Sequence, residues 1–274
     1  MQPFDDGIAV ITGGADGIGR ALALEAADRG MHVAVLDIRG DAAEAVAAEV
    51  HARGRDAIAI ACDVSDADAI DAAAAAVRER FGHANLVWAN AGLGIGQGFL
   101  SARRSNLEWM YRVNVDGTID TLRAFHALLP ATGLRHFGLT GSMAGLTPSN
   151  AGTPAYNATK YAVVGIAEGL RAEVEADGIG VTLLCPGLVN TRIWDGGRAR
   201  PERYGGPRHA DEAAGAHWRE AGMSAAFVAG AALDGVAEGR FYVVTPELRA
   251  RANGIAARND AILAAVRAPD DAAD

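Results

Sequence analysis

Tyr156 and Lys160 stand four residues apart, and Lys160 is the only lysine among 274 residues; the rest of the 25 Lys and Arg positions are arginine. Four residues make one helical turn, so the two side chains share a face if this stretch is helical. The chemistry open to such a pair is proton transfer. A phenol has an ordinary pKa of about 10, and holding its anion near neutrality takes about 4 kcal/mol. One positive charge about 4 Å away, at an effective dielectric of about 20, supplies energy of that order. Lysine suits the task because it is a compact point charge on a flexible stem, whereas arginine is a planar fork. A single lysine also falls at any one place by chance, so the pair needs other elements to give it meaning.

Those elements are legible as an alternation. Short apolar runs at 8–12, 32–37, 57–63, 86–90, 136–142, 181–186 and 241–245 are rich in branched residues. Between them lie Ala-rich segments of helical period near 18–29, 41–53, 66–80, 105–129, 154–177 and 224–238, with a last one near 246–266. The pattern predicts one α/β domain over 1–274, with a doubly wound, seven-stranded parallel sheet and helices on both faces. Thr153-Pro154 reads as N-cap and first helical residue, placing Tyr156 and Lys160 in the opening turns of the 154–177 helix. The irregular stretch 187–223, rich in Gly, Pro, Arg and aromatics, is expected to be a lid over a substrate. The acidic end, 267–274, is expected to be a disordered tail.

Half of the chain is hydrophobic and 22% is charged, ample for one core. A net charge of −9 argues against general affinity for nucleic acid or for an anionic membrane. Cys62 and Cys185 lie in apolar runs and read as buried free thiols in a reducing compartment. The first residues lack the pattern of a signal peptide, and no apolar run approaches the roughly 20 residues of a membrane span. The expectation is a cytoplasmic protein without a metal.

Ile8-Ala9-Val10-Ile11 runs directly into Thr12-Gly13-Gly14-Ala15-Asp16-Gly17-Ile18-Gly19. Glycines between a strand and a helix let the backbone turn tightly and approach a pyrophosphate at the helix N-terminus. Such a string is weak by itself and stronger in this strand–helix setting. Its spacing, Thr-Gly-x-x-x-Gly-x-Gly, resembles that of the short-chain dehydrogenases/reductases. The resemblance continues in that family's order through Asn90-Ala91-Gly92, Asn114, Ser142, Tyr156-x-x-x-Lys160, and Pro186-Gly187 to Thr191, over 7–191.

The resemblance implies a single-domain Rossmann fold and an oxidoreductase that moves hydride between a nicotinamide and a secondary alcohol or ketone. Tyr156 would be the general acid/base. Lys160 would depress its pKa and hold ribose hydroxyls, while Ser142 orients the substrate oxygen. Asn114, a poor helix former inside the 105–129 helix, would interrupt it and hold a water that relays protons to Lys160. Cofactor contacts carried over by position are Gly13, Asp16, Gly17, Ile18, Gly19, Asp37, Asp63, Val64, Asn90, Ala91, Gly92, Tyr156, Lys160, Pro186, Gly187, Val189 and Thr191. Asp37, 18 residues beyond Gly19, accepts from ribose hydroxyls and repels a 2′-phosphate. Asp16 adds a second carboxylate where NADP-using relatives often carry a basic residue. Both favour NAD over NADP, and Arg39 is the dissenting charge. Singly, these residues have plainer uses: a serine caps a turn, and a helical tyrosine packs in a core.

Two features depart from the family. Thr140-Gly141-Ser142 stands where paired serines are commoner, and Ser142 and Tyr156 are 14 residues apart, one more than usual. The stretch 189–209 carries Arg192, Arg198, Arg200, Arg203 and Arg208 against Asp195 and Glu202, with Trp194 and Tyr204 among them. It suits an aromatic or anionic alcohol or ketone, or else arginines that pair with helix C-termini or with a neighbouring subunit. Arg200-Pro201-x-x-Tyr204-Gly205 and the 241–247 run resemble the subgroup of NAD-dependent Cα-dehydrogenases of lignin-derived aryl ethers. Trp88 and Trp109 read as packing residues. An NADP-linked carbonyl reductase and a non-catalytic NAD(H)-binding regulator are the alternatives. The family also implies a homo-oligomer, dimer or tetramer, built on the 105–129 and 154–177 helices.

Overall fold

The alternation of side chains along each strand builds two cores, one on each face of a single sheet. Val10, Ala34 and Leu36 belong to one core, with Ile70, Trp109, Phe125 and Val163. Their strand neighbours Ala9, Ile11, Val33 and Val35 belong to the other, with Leu22, Ala26, Val46 and Leu233. The computed structural model describes residues 4–96, 98–147, 153–246 and 251–267. Its strands are β1 Ile8–Thr12, β2 His32–Asp37, β3 Ala57–Ala61, β4 Leu86–Ala89, β5 His136–Thr140, β6 Gly180–Cys185 and β7 Tyr242–Val244. All are parallel, in the order β3-β2-β1-β4-β5-β6-β7. This is the expected single-domain Rossmann fold.

The helices are α1 Gly17–Asp28, α2 Gly40–His51, α3 Ala67–Phe81, α4 Arg104–Tyr111, α5 Gly117–His126, α6 Pro154–Val174, α7 Ala216–Ala221, α8 Ala225–Ala237 and α9 Ala252–Arg267. The chain runs outward from β1 through β2 to β3, then returns to place β4 on the other side of β1. That reversal opens a crevice outside the carboxyl ends of β1 and β4.

Several boundaries differ from the sequence reading, for identifiable reasons. β3 ends at Ala61 and β5 at Thr140, so Asp63 and Ser142 leave the ladder and project from loops. The expected 105–129 helix is split by a π-helical segment, Arg112–Asp116, whose centre is Asn114. The stretch 187–223 is less irregular than expected: it holds short 3₁₀ turns and α7, and a bridge between Val189 and Met223 closes its base. α9 begins at Ala252, and the expected helix start at 246–250 lies largely outside the described residues, as do 268–274. Among the described residues no helix is long and apolar enough to cross a membrane.

Candidate active site

The first strand delivers the glycine turn. Gly13 and Gly17 adopt left-handed backbone angles, φ 62° and 52°. A Cβ on Gly19 would lie 2.0 Å from the Gly13 carbonyl oxygen, and one on Gly17 would lie 2.9 Å from Thr191 Cγ2. A bare backbone cradle at the start of α1 therefore faces the head of the 187–223 segment. Its N–H groups and the helix dipole suit a dinucleotide's diphosphate. Ile18 is half-buried and packs against the core beside α1.

A polar seam ties the strand ends together. The Thr12 hydroxyl accepts from the Asn90 and Ala91 N–H groups at 3.0 and 3.1 Å. The Asn90 amide donates to the Thr12 carbonyl at 3.0 Å and accepts from the Thr140 hydroxyl at 3.1 Å. Trp88, fully buried, donates its indole N–H to the same Thr140 hydroxyl at 2.9 Å. Thr12 and Thr140 were given no role by their sequence context. Their position as the last residue of an apolar strand was the available signal.

Lys160 reaches this seam from α6. It is 4% exposed, and its ammonium donates to the Thr140 carbonyl at 2.8 Å. The Nζ lies 5.8 Å from the centre of the Tyr156 ring. Tyr156 itself lines the crevice, partly accessible but surrounded by protein. Burial pushes its pKa up to about 12, and the hydrogen bond with Ser142 pulls against that shift. Burial likewise pushes Lys160 down to about 8. The expected depression of Tyr156 by Lys160 is thus not what the folded chain alone displays. The ammonium is tethered to a carbonyl, and the group pulling Tyr156 down is Ser142.

Ser142 caps the 3₁₀ turn Met143–Gly145 by accepting from the Ala144 N–H at 3.1 Å. Cys185 lies behind it at the end of β6, close to Lys160, with its thiol pushed up to about 12 by burial. It was read as core; it is also the floor of this site. Thr153 occupies the N-cap position of α6 but makes no side-chain cap; its hydroxyl donates to Asn157 Oδ1 at 3.1 Å.

Asn114 is 1% exposed and its side chain is spent on direct bonds. Oδ1 accepts from the Leu93 N–H at 2.9 Å, while Nδ2 donates to the Leu93 carbonyl at 2.9 Å and to Thr159 Oγ1 at 3.0 Å. Thr159 in turn donates to the Tyr156 carbonyl at 2.7 Å. Asn114 therefore straps the loop after β4 to the helix of Tyr156, a positioning task that the water-relay reading did not foresee. Gly92 lies between them: a Cβ there would stand 3.5 Å from both Asn114 Oδ1 and Lys160 Nζ.

The outer cofactor positions are arranged less as expected. Asp37 accepts from the Ala15 N–H at 3.1 Å and the Arg39 N–H at 3.0 Å, and its side chain is 8% exposed. Asp16 caps α1 through the Gly17 N–H at 2.8 Å and pairs with Arg192 at 3.0 Å and Arg198 at 2.7 Å. Burial raises the Asp16 pKa, but the Gly17 N–H and the two arginines outweigh it and hold the carboxyl below its ordinary value. Its charge is neutralised, so the case against a 2′-phosphate falls on Asp37 alone. Asp63 pairs with Arg203 at 2.6 Å and accepts from the Ser65 hydroxyl at 2.7 Å. Val64 is buried against α5, where its carbonyl would clash with a Cβ on Gly117. The Pro186 carbonyl accepts from Met143, the Gly187 N–H donates to Thr245, and Val189 is buried.

The arginine-rich stretch pairs mainly within the chain. Arg200 is buried over the Trp109 ring at 5.6 Å and donates to Ser105, and Tyr204 stacks on the same tryptophan. The Arg200–Tyr204 signature is thus a packing unit that anchors the segment. Trp88 and Trp109 are packing residues, as expected. Over Tyr156, a Cβ on Gly94 would stand 3.8 Å from the ring and 3.7 Å from Ile193. That bare glycine leaves an apolar slot above the hydroxyl pair.

A nucleotide cradle beside a Ser–Tyr–Lys cluster defines a protein of the dinucleotide-dependent dehydrogenase type. The short chain dehydrogenase family profile matches residues 7–201, and the chain belongs to that family. A short-chain dehydrogenase/reductase of Burkholderia phymatum, solved in complex with NAD, is similar over 100% of both chains at 32% identity, with a TM-score of 0.87. A Burkholderia cenocepacia short-chain dehydrogenase solved with NADP has 28% identity and a TM-score of 0.76, over 89% of this chain and 97% of that one. Among curated relatives, the C alpha-dehydrogenase of Sphingobium sp. is 32% identical over 207 residues, 75% of this chain and 68% of the relative. The chain spans 32% of the length of the mycobacterial relatives that it matches at 36% identity.

Proposed function

We propose that the protein is an NAD-dependent oxidoreductase that interconverts a secondary alcohol and a ketone, acting on an aromatic or benzylic substrate. The observation that carries this reading is the gathering of Tyr156 and the buried Lys160 beside the loop of Ser142, with Lys160 Nζ 5.8 Å from the centre of the Tyr156 ring and 3.5 Å from where a Cβ on Gly92 would stand. A bound nicotinamide supplies the hydride exchange at carbon. Tyr156 moves a proton on or off the substrate oxygen, and Ser142 donates to that oxygen and orients it. Lys160 keeps positive charge next to the phenol and is placed to bond ribose hydroxyls. Asn114 holds the Leu93 backbone against α6, which fixes one wall of the slot.

Asp37 favours NAD, because its carboxylate closes the end of β2 against a 2′-phosphate. Arg39, the dissenting charge, lies 3.4 Å from Asp37 and 3.8 Å from Asp16, which reduces its freedom to serve a phosphate. Residues 187–223 act as the lid, and the slot between Gly94, Ile193 and Tyr156 takes the substrate's apolar body. The similarity to the Sphingobium C alpha-dehydrogenase supports an aromatic alcohol. The two free buried cysteines accord with a cytoplasmic enzyme. A second copy packs on the open groove between α5 and α6.

The test is a panel of aliphatic, benzylic and steroid secondary alcohols with NAD and with NADP, followed by absorbance of the reduced nicotinamide. At least one aromatic alcohol should reduce NAD, and Tyr156→Phe and Lys160→Arg should each lower kcat by at least about a hundredfold with unchanged circular dichroism. Near-normal turnover in either variant, or a higher kcat/KM with NADP, removes the corresponding part of the proposal. Tight NADH binding with no turnover of any alcohol would instead favour a regulator.

A further inference from the structure

Three guanidiniums converge on one carboxylate at the start of α1. Arg198 Nη2 lies 2.7 Å from Asp16 Oδ2, Arg192 Nε 3.0 Å from the same oxygen, and Arg39 Nη2 3.8 Å from it. The other Asp16 oxygen is occupied by the Gly17 N–H. Asp37 is the second acid in the group, and it already accepts two backbone N–H bonds. Three fixed positive charges thus gather on Asp16, with Asp37 and Asp195 as the other acids in reach, in a chain whose net charge is −9. The positive end of the α1 dipole adds to the positive potential there.

The arrangement is built rather than incidental. Arg198 Nη1 donates to the Arg192 and Asp195 carbonyls, both at 3.0 Å, so the backbone of the lid aims the guanidinium. Its Nε is buried without a hydrogen-bond partner among the described residues. Burial, and then the like charges of Arg39 and Arg192, hold Arg198 below its ordinary pKa, with Asp16 and Asp195 pulling the other way. Packed like charges with an unused donor lack an anion. The neighbouring surface is the bare Gly17 backbone, on which Thr191 rests.

We infer that Arg192 and Arg198 bind the diphosphate bridge of the dinucleotide, and that Asp16 holds them in its place until the ligand arrives. The inference rests on the dinucleotide reading above. A diphosphate brings about two negative charges to a cluster of three guanidiniums and can engage their forks in bidentate fashion. Asp16 brings one, and it is already divided among three arginines. Arrival of the diphosphate transfers both arginines, which belong to the lid, from the rim of the cradle to the ligand. Cofactor binding and lid position are therefore one event, and Asp16 competes with the cofactor.

Calorimetry with ADP-ribose, adenosine and adenosine 2′-monophosphate tests this without turnover. Arg192→Gln and Arg198→Gln should each weaken ADP-ribose by about tenfold while leaving adenosine unchanged. Asp16→Asn keeps a good helix cap but removes the competitor. It should tighten ADP-ribose severalfold and, in the ligand-free protein, speed chymotryptic cleavage at Trp194. A latch with only a structural purpose predicts faster cleavage without tighter binding, and that result overturns the inference. Equal losses for adenosine and ADP-ribose overturn it, and so does a selective loss for the 2′-monophosphate, which would place the arginines at the ribose. If the wild type binds ADP-ribose and all three variants match it, the inference falls and the dinucleotide reading stands. If the wild type binds neither NADH nor ADP-ribose, both fall. Melting temperatures near that of the wild type establish that each variant is folded.

Discussion

Lys160 illustrates how a residue's position and its electrostatics can point in different directions. Its place next to Tyr156 followed from the four-residue spacing, but its working pKa depends on burial that no spacing encodes. Burial lowers Lys160 from 10.5 to about 8. Between those values the unfolded chain binds more protons than the folded one, so stability rises with pH across that window and the buried charge costs stability below it. Tyr156 behaves in the opposite sense: its folded value of about 12 lies above its ordinary 10, so stability is lost as pH rises between them. Lys160→Met removes the lysine's contribution alone. The melting temperature of the wild type relative to this variant should therefore climb from pH 8 towards pH 10.5. A difference that stays flat in thermal melts across that range would contradict the buried charge.

At the scale of elements, the π-helical segment Arg112–Asp116 is the joint that brings the site together. An uninterrupted helix would keep Asn114 on the regular ladder; the wider turn directs its side chain to Leu93 and Thr159. Asparagine's low helix propensity marked the place, while the partners came from the fold. Asn114→Ala removes three hydrogen bonds and leaves the buried Leu93 N–H and carbonyl unpaired. About 2–4 kcal/mol of destabilisation should follow, read from urea midpoints with an unchanged slope. Because the strap holds the loop rather than the proton, kcat should fall less in this variant than in Tyr156→Phe. An unchanged midpoint would show that the strap contributes nothing. The strand ends carry the same lesson. Thr12 and Thr140 carried no assigned role in the sequence, and only the order of the strands brought their hydroxyls to Asn90 and Trp88 and the Thr140 carbonyl to Lys160.

At the scale of the whole molecule, the α5–α6 face is open. A groove of about 420 Å³ runs between the helices, lined by Ile119, Leu122, Phe137, Ile166 and Leu170, with Arg123 and Glu173 among its polar residues. A two-fold interface brings the same patch together from both copies, so a groove with Arg123 and Glu173 on an apolar lining offers opposite charges for such a pairing. Light scattering should find the wild type as a dimer or larger, and Ile166→Arg as a folded monomer. A monomeric wild type would remove the interface assigned to this groove. The face is remote in sequence from the lid, yet α6 carries Tyr156 and Lys160 at one end and the groove near the other. Loss of the partner copy is therefore expected to lower thermal stability as well as mass.

Local pattern determined the alternation of strands and helices, the glycine turn, the family and the identities of Ser142, Tyr156, Lys160 and Asn114. These are short-range signals: strand alternation, helical period and motif spacing are set by neighbours a few residues apart. Tertiary structure alone decided who partners whom. Asp16, read as a second carboxylate against a 2′-phosphate, is held by Arg192 and Arg198 from 176 and 182 residues away. Arg200 and Tyr204, read as a subgroup signature, rest on Trp109, and burial raises the phenol of Tyr156 against the opposing pull of Ser142. Charge pairing and burial act through space, and the chain brings those groups together only once the sheet has ordered its strands.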